Sequence, residues 1–395
     1  MIYKITFLLL IIFIPTLSAL AQVKNDKIYF IDTHNDVLSK QAITGQDIAK
    51  EQLETNFDLA KASRGNLAAQ VFSIWCDETY GIGKAYKKAN EEIDSLYALV
   101  KRNPKKIMLV TNSKGLQAAI NKNKLAALIG VEGGHMIEDR VDYIDSLYNR
   151  GMRYLTLTWN NSTSWATSAK DEVTKKDSLP FTGLTEKGKQ IVSHLNKLGV
   201  MVDISHAGEK TFYDVLSVSS KPIIASHSCA YALNPHRRNL KDDQLKALAK
   251  NGGVVFVNFY SEFLDSNFEK KASEFSSIHK RETDSLVTIF KDTDLATIHL
   301  FHLYQKETDA FRPPLSLLIK HIDYIVKLIG VDHVGIGSDF DGAESFPLQM
   351  DDVSDYPLIA IELKKLGYPV ADIKKITSEN FIRILKANEK KLHSH

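Results

Sequence analysis

Along the chain, short apolar runs rich in β-branched residues alternate with longer stretches whose apolar positions recur at helical spacing. Eight such runs stand out, at residues 28–31, 67–75, 126–131, 154–158, 200–204, 222–226, 253–259 and 333–337. Between them, segments such as 84–101, 141–150, 186–198, 209–217, 242–250 and 314–329 show the periodicity of helices with one face against a core. Strand then helix, eight times over, predicts a single closed parallel (β/α)8 barrel. The other arrangement of such units, an open doubly wound sheet, gathers its site at one switch point. Here polar residues with chemical capability close most of the runs, which selects the barrel. Residues 261–312 break the pattern, being charged, irregular and long for a loop. They predict a helical excursion between the seventh strand and its helix, covering one side of the barrel mouth.

The residues that close the runs carry the chemistry. Asp32-Thr33-His34-Asn35-Asp36 follows the first, Glu132-Gly133-Gly134 the third, Ser205-His206 the fifth, Ser226-His227 the sixth, and Gly337-Ser338-Asp339-Phe340-Asp341-Gly342 the eighth. A parallel barrel brings all these ends to one rim. Imidazoles and carboxylates gathered there make a nitrogen–oxygen metal site. His34 and Asp36 are two apart, so on an extended segment both point the same way and reach one ion. Glu132 stands before two glycines that let the chain turn sharply, and a carboxylate there can bridge two ions. His206 and His227 close consecutive strands whose ends lie about 5 Å apart, and they complete the shell of a second ion. An aspartate beside such a centre can shuttle a proton, and spacing does not choose between Asp339 and Asp341. Of Arg237 and Arg238, one can offer a planar fork to a substrate carboxylate. His135, just beyond, is open to two readings, support for a ligand or a purely structural role, and is given no part in the site. A serine nucleophile elbow, a dinucleotide fingerprint and a Walker loop are all missing from the sequence.

Composition changes this picture little. Hydrophobic residues are 44 % and charged residues 25 % of the 395-residue chain, ordinary for a sizeable core. The formal net charge of +2 and the lack of a long basic run give no field for a nucleic-acid partner. The two cysteines, Cys76 and Cys229, leave open one disulfide or two separate space-filling thiols, and the metal chemistry does not call on them. The first residues do read differently. Lys4 precedes an unbroken apolar stretch at 5–14, Pro15 ends it, and Ser18-Ala19-Leu20-Ala21 offers small residues for cleavage after Ala21. A signal peptide over residues 1–21 is expected, with 22–395 as the barrel domain, no stable membrane anchor and a periplasmic or secreted product.

Taken together, these blocks resemble the renal (membrane) dipeptidase family of amidohydrolase-like metal-dependent barrels, from about Asp32 to the C-terminus. Gly130-Val131-Glu132-Gly133-Gly134-His135, Gly151-Met152-Arg153-Tyr154-Leu155-Thr156-Leu157-Thr158 and Ser226-His227-Ser228 with Arg237-Arg238-Asn239 are the most specific, beside the first and last blocks quoted above. The resemblance implies a binuclear zinc site in which His34 and Asp36 hold one ion, Glu132 bridges, and His206 and His227 hold the other. It further implies Asp339 as proton shuttle, Arg238 as holder of the substrate carboxylate, dipeptide substrates that include a C-terminal D-residue, and a homodimer. One position departs from the family. Trp159 stands where a histidine commonly follows the Leu-Thr-Leu-Thr block, and its indole can donate a hydrogen bond to substrate but cannot become cationic. A related amidohydrolase of another small amide, lactam or ester would share the ligand set, and a non-catalytic binding protein could keep the metal pocket.

Overall fold

The computed structural model describes residues 27–390, and the signal peptide expected at residues 1–21 lies outside them. Nine parallel strands run β1 (Phe30–Asp32), β2 (Leu67–Ile74), β3 (Ile107–Leu109), β4 (Leu125–Glu132), β5 (Met152–Thr156), β6 (Met201–Asp203), β7 (Ile224–Ala225), β8 (Val254–Val257) and β9 (Val334–Ile336). Their order is β2-β1-β9-β8-β7-β6-β5-β4-β3, and pairing of β2 with β4 closes eight of them into a ring. Ala69 to Ile74 lie opposite Ala126 to Val131 at this closure. The eight runs read from the sequence are the eight ring strands.

The ninth strand, β3, was not among those runs. It pairs with residues 125–127 at the start of β4, on the edge that continues upward into β5. All eight residues of both β2 and β4 are buried, as parallel strands must be when helices cover the outside and side chains fill the inside. Ile31, Val71, Leu128, Tyr154, Met201 and Phe256 belong to the cluster that fills the barrel. Phe381, Ile384 and Leu385 of the helix Asn380–Asn388 join it from below. Asn380 Nδ2 donates to the carbonyls of Val331 and Val334 at 2.7 and 2.8 Å, so this helix stoppers the end where β9 begins.

The expected excursion is present after β8, the seventh ring strand. It comprises the helices Ser261–Leu264, Phe268–Ile278, Lys280–Phe290, Thr293–Leu303 and Gln305–Thr308. Its own small core contains Phe268, Phe275, Leu286 and Leu300. Both cysteines are buried free thiols. Among the described residues no helix is long and apolar enough to cross a membrane.

Candidate metal centre and active site

The rim is built by chain reversals at the C-terminal strand ends. His206, Asp339 and Asp341 adopt φ of 66°, 64° and 65°. Side chains other than glycine seldom enter this left-handed region, and such strain concentrates where side chains are aimed for function. Gly133, with φ 94°, turns the chain directly after Glu132, as the paired glycines predict.

Glu132 divides the donors into two groups. Its Oε1 lies 3.0 Å from His206 Nε2 and 3.4 Å from His227 Nε2, and those two nitrogens are 3.1 Å apart. Its Oε2 lies 3.3 Å from His34 Nε2, which is in turn 3.5 Å from Asp36 Oδ2 and 3.9 Å from Asp339 Oδ1. His34, Glu132 and His227 bring donor atoms within 4.8 Å of one another, as do His34, Asp36 and Asp339, so the two groups form one continuous cluster. The five residues predicted as ligands therefore converge, with Asp339 beside them.

The donor set fits metal ions. Two nitrogens each about 2.05 Å from a four-coordinate zinc stand roughly 3.3 Å apart, close to the spacings around Glu132 Oε1. His34 Nε2 and Asp36 Oδ1 are buried without a hydrogen-bond partner among the described residues. A buried acceptor left in this state is costly unless something binds it.

Outer partners fix how two of the imidazoles face the centre. The Tyr154 hydroxyl donates to the Thr33 carbonyl at 3.2 Å, so its oxygen accepts from His34 Nδ1 at 2.8 Å. His34 then presents a bare Nε2 to the acids. Tyr154 reaches this place because residue 130 is glycine: a Cβ there would stand 2.0 Å from the tyrosine ring. On the other side Ser226 Oγ donates to Asp203 Oδ2 at 2.6 Å and accepts from His227 Nδ1 at 2.8 Å. Holding the far nitrogen of a ligating histidine in this way sets its tautomer.

Two fully buried aspartates clamp the scaffold behind these rings. Asp32 Oδ1 accepts from the backbone N–H of Ser338 at 2.9 Å, and Oδ2 from the hydroxyls of Ser338 and Tyr356, both at 2.7 Å. Asp203 accepts from Ser226 N–H at 2.8 Å and from Thr156 Oγ1 at 2.6 Å. Asp32, Tyr154 and Ser226 lie within the sequence motifs, but along the chain neither they nor Asp203 shows this role. A carboxylate closing an apolar strand was the available signal.

Electrostatics divide the same way. Burial, reinforced by nearby His34 and Arg238, holds His227 well below its usual range against Glu132. Burial and Arg238 lower His206 to about 3, also against Glu132. Both rings are therefore neutral, the ligating form. Burial opposes ionisation of Glu132, yet His34, His206 and His227 keep it well below the carboxylate range. Burial likewise disfavours a charged His34, but Tyr154, Glu132 and Asp36 hold it well above normal, so this half of the centre draws positive charge. Burial pushes Asp339 up to about 7, resisted by His34 and aided by Asp36 and Glu132.

Structure separates the two candidate shuttles. Asp341 is occupied by Lys40 Nζ at 3.1 Å and by the backbone N–H groups of Asn56 and Phe57 at 2.9 and 3.1 Å. Asp339 faces the cluster, with Oδ2 held by Asn258 Nδ2 at 2.9 Å and Oδ1 turned toward His34. A cavity of about 380 Å³ opens over the centre, lined by Asp339, Arg238, Trp159 and Trp75, with Leu295 and Ile298 of the excursion on one side. Arg237 is exposed, whereas Arg238 is 4 % exposed and feels the charges of Asp339 and Glu132. His135 is structural, its Nε2 bonded to the Cys76 carbonyl at 2.9 Å.

Solved structures share this architecture. The probable dipeptidase PvdM from Pseudomonas aeruginosa superposes with a TM-score of 0.76 at 24 % identity, covering 95 % of this chain and 98 % of that one. A metallo peptidase from Rhodobacter sphaeroides, liganded with a phosphinate mimic of the dipeptide L-Ala-D-Ala, gives 0.75 at 23 % identity, covering 91 % and 99 %. An amidohydrolase from Pseudomonas aeruginosa gives 0.68 at 21 %, covering 93 % and 98 %. At these identities the likeness establishes the barrel. The sequence profile of the membrane dipeptidases, peptidase family M19, matches residues 20–395, and with that match the chain belongs to this family.

Proposed function

We propose that the chain is a dipeptidase that hydrolyses the amide bond of small dipeptides over a two-ion centre, most simply zinc. One observation carries the reading: the divided carboxylate of Glu132 and the buried guanidinium of Arg238 border the same 380 Å³ cavity. A cavity of that size suits a ligand of two residues rather than a protein chain. In this reading His34 and Asp36 hold one ion, His206 and His227 the other, and Glu132 joins them. When bound, the ions polarise the scissile carbonyl and acidify the attacking water.

The chain's own residues do the rest. Arg238 offers its fork to the substrate's free carboxylate and fixes which bond lies over the centre. Its Nη2 already donates to the His227 carbonyl at 3.3 Å, which orients the guanidinium at the cavity wall. Asp339 takes a proton at Oδ1 and returns it to the departing amine, while Asn258 holds Oδ2 still. The excursion narrows the entrance and limits water around the reacting groups.

Purified, zinc-loaded protein tested on L-L and L-D dipeptides checks this reading. Free dipeptides are expected to be cleaved, and their C-terminal amides roughly 10- to 100-fold more slowly, the range of one charge-assisted hydrogen bond. Full activity in Asp339→Asn would remove the shuttle. Turnover of lactams or esters without dipeptides would move the assignment to another amidohydrolase. We infer export from the residues before Lys27, and a mature N-terminus at Gln22 is the expected sequencing result.

A further inference from the structure

We propose that the facing indoles of Trp75 and Trp159 form the recognition wall for the side chain of the substrate's N-terminal residue, selecting large apolar and aromatic groups. The inference rests on the dipeptidase reading and adds a substrate preference to it.

Position gives the first argument. Around the ring the strands follow β1, β2, β4, β5, β6, β7, β8, β9. Trp75 directly follows β2 and Trp159 comes three residues after β5, so the two flank Glu132 on β4. Arg238 follows β7, across the ring from β2 and two strands from β5. A dipeptide with its carboxylate on Arg238 and its amide over Glu132 must direct its N-terminal residue toward the β2–β5 side.

The contrast among the chain's three tryptophans gives the second. Trp165 is fully buried and packs where a Cβ on Gly134 would collide with it, an ordinary core role. Trp75 and Trp159 are only part-buried and both line the cavity. Their ring centroids are 5.1 Å apart at 60°, and Trp159 lies 6.3 Å from the His206 ring. Two tilted rings of this kind present a broad apolar face beside a polar centre, where an aromatic side chain gains both burial and edge-to-face contact.

Rigidity gives the third. The Trp75 N–H donates to buried Glu92 Oε2 at 2.9 Å, and the next carbonyl, of Cys76, is held by His135 at 2.9 Å. Glu92 is therefore a positioning residue for a wall set before substrate arrives, which lowers the cost of binding.

The test is kcat/KM across Gly-Ala, Ala-Ala, Leu-Ala, Phe-Ala and Trp-Ala, with an Ala-X series as the control. Phe-Ala and Trp-Ala are expected at least about tenfold above Gly-Ala, the scale of one apolar contact in a pocket. Trp75→Ala and Trp159→Ala should each cut that ratio to within about threefold, while the spread of the Ala-X series stays as in wild type. The wild-type series decides by itself if a variant does not fold. A flat or inverted X-Ala series with active enzyme overturns the wall and leaves the dipeptidase reading standing. Hydrolysis of no dipeptide overturns both.

Discussion

The two halves of the centre solve one problem with different materials. The β1/β9 half holds a single imidazole among acids: His34 with Asp36, Asp339 and one oxygen of Glu132. The β6/β7 half holds two imidazoles, His206 and His227, against the other oxygen. Each half is backed by a fully buried aspartate, Asp32 or Asp203, that ties neighbouring strand ends together. Scaffolding is thus repeated while charge is not. The acid-rich half favours positive charge among its carboxylates, whereas the imidazole-rich half keeps both rings neutral. Only Glu132 belongs to both.

That asymmetry sets the order of effects. Glu132→Gln strikes both halves, so metal analysis should show loss at both positions. Activity should fall by more than the roughly 100-fold that removing an outer partner costs. Tyr154→Phe and Ser226→Ala sharpen the comparison, because each frees the far nitrogen of one histidine only. Each should weaken one ion about 10- to 100-fold and leave the other nearly unchanged, read by zinc titration with a chromophoric competitor. Equal weakening of both ions by either variant would make the halves one unit.

Glu92→Gln is the smallest of these changes and lies outside the centre. Burial pushes Glu92 up to about 8, against Lys88 and the Trp75 N–H, whereas an unfolded glutamate titrates near about 4.3. Between those values the folded chain keeps a proton that the unfolded chain has lost, so stability should fall as pH rises from about 5 to 8. The glutamine variant should flatten that part of the profile in denaturant midpoints and retain the bond to Trp75. An unchanged slope would place the titration elsewhere.

The ring strands and the five candidate ligand positions were legible because apolar runs that end abruptly in His, Asp or Glu are local features. Strand β3 was not, since its three residues pair only with the first part of β4 and carry no periodicity of their own. Asp339 could not be told from Asp341 along the chain. Their surroundings differ through Lys40, Asn56 and Phe57, nearly three hundred residues away, which occupy Asp341. Tyr154 reads as a strand aromatic until the barrel closes and Gly130 lets its hydroxyl reach His34. The clamp on Asp32 likewise needs Tyr356, from a helix beyond the last strand. Trp75 and Trp159 gain their meaning only as a pair across β4.

The most direct test is a crystal structure of the zinc-loaded protein with anomalous scattering recorded at the zinc edge. Two peaks are predicted, one on each oxygen of Glu132, the first touching His34 and Asp36 and the second touching His206 and His227. A single peak, or a pair that leaves Glu132 bound to one ion alone, would contradict the divided centre.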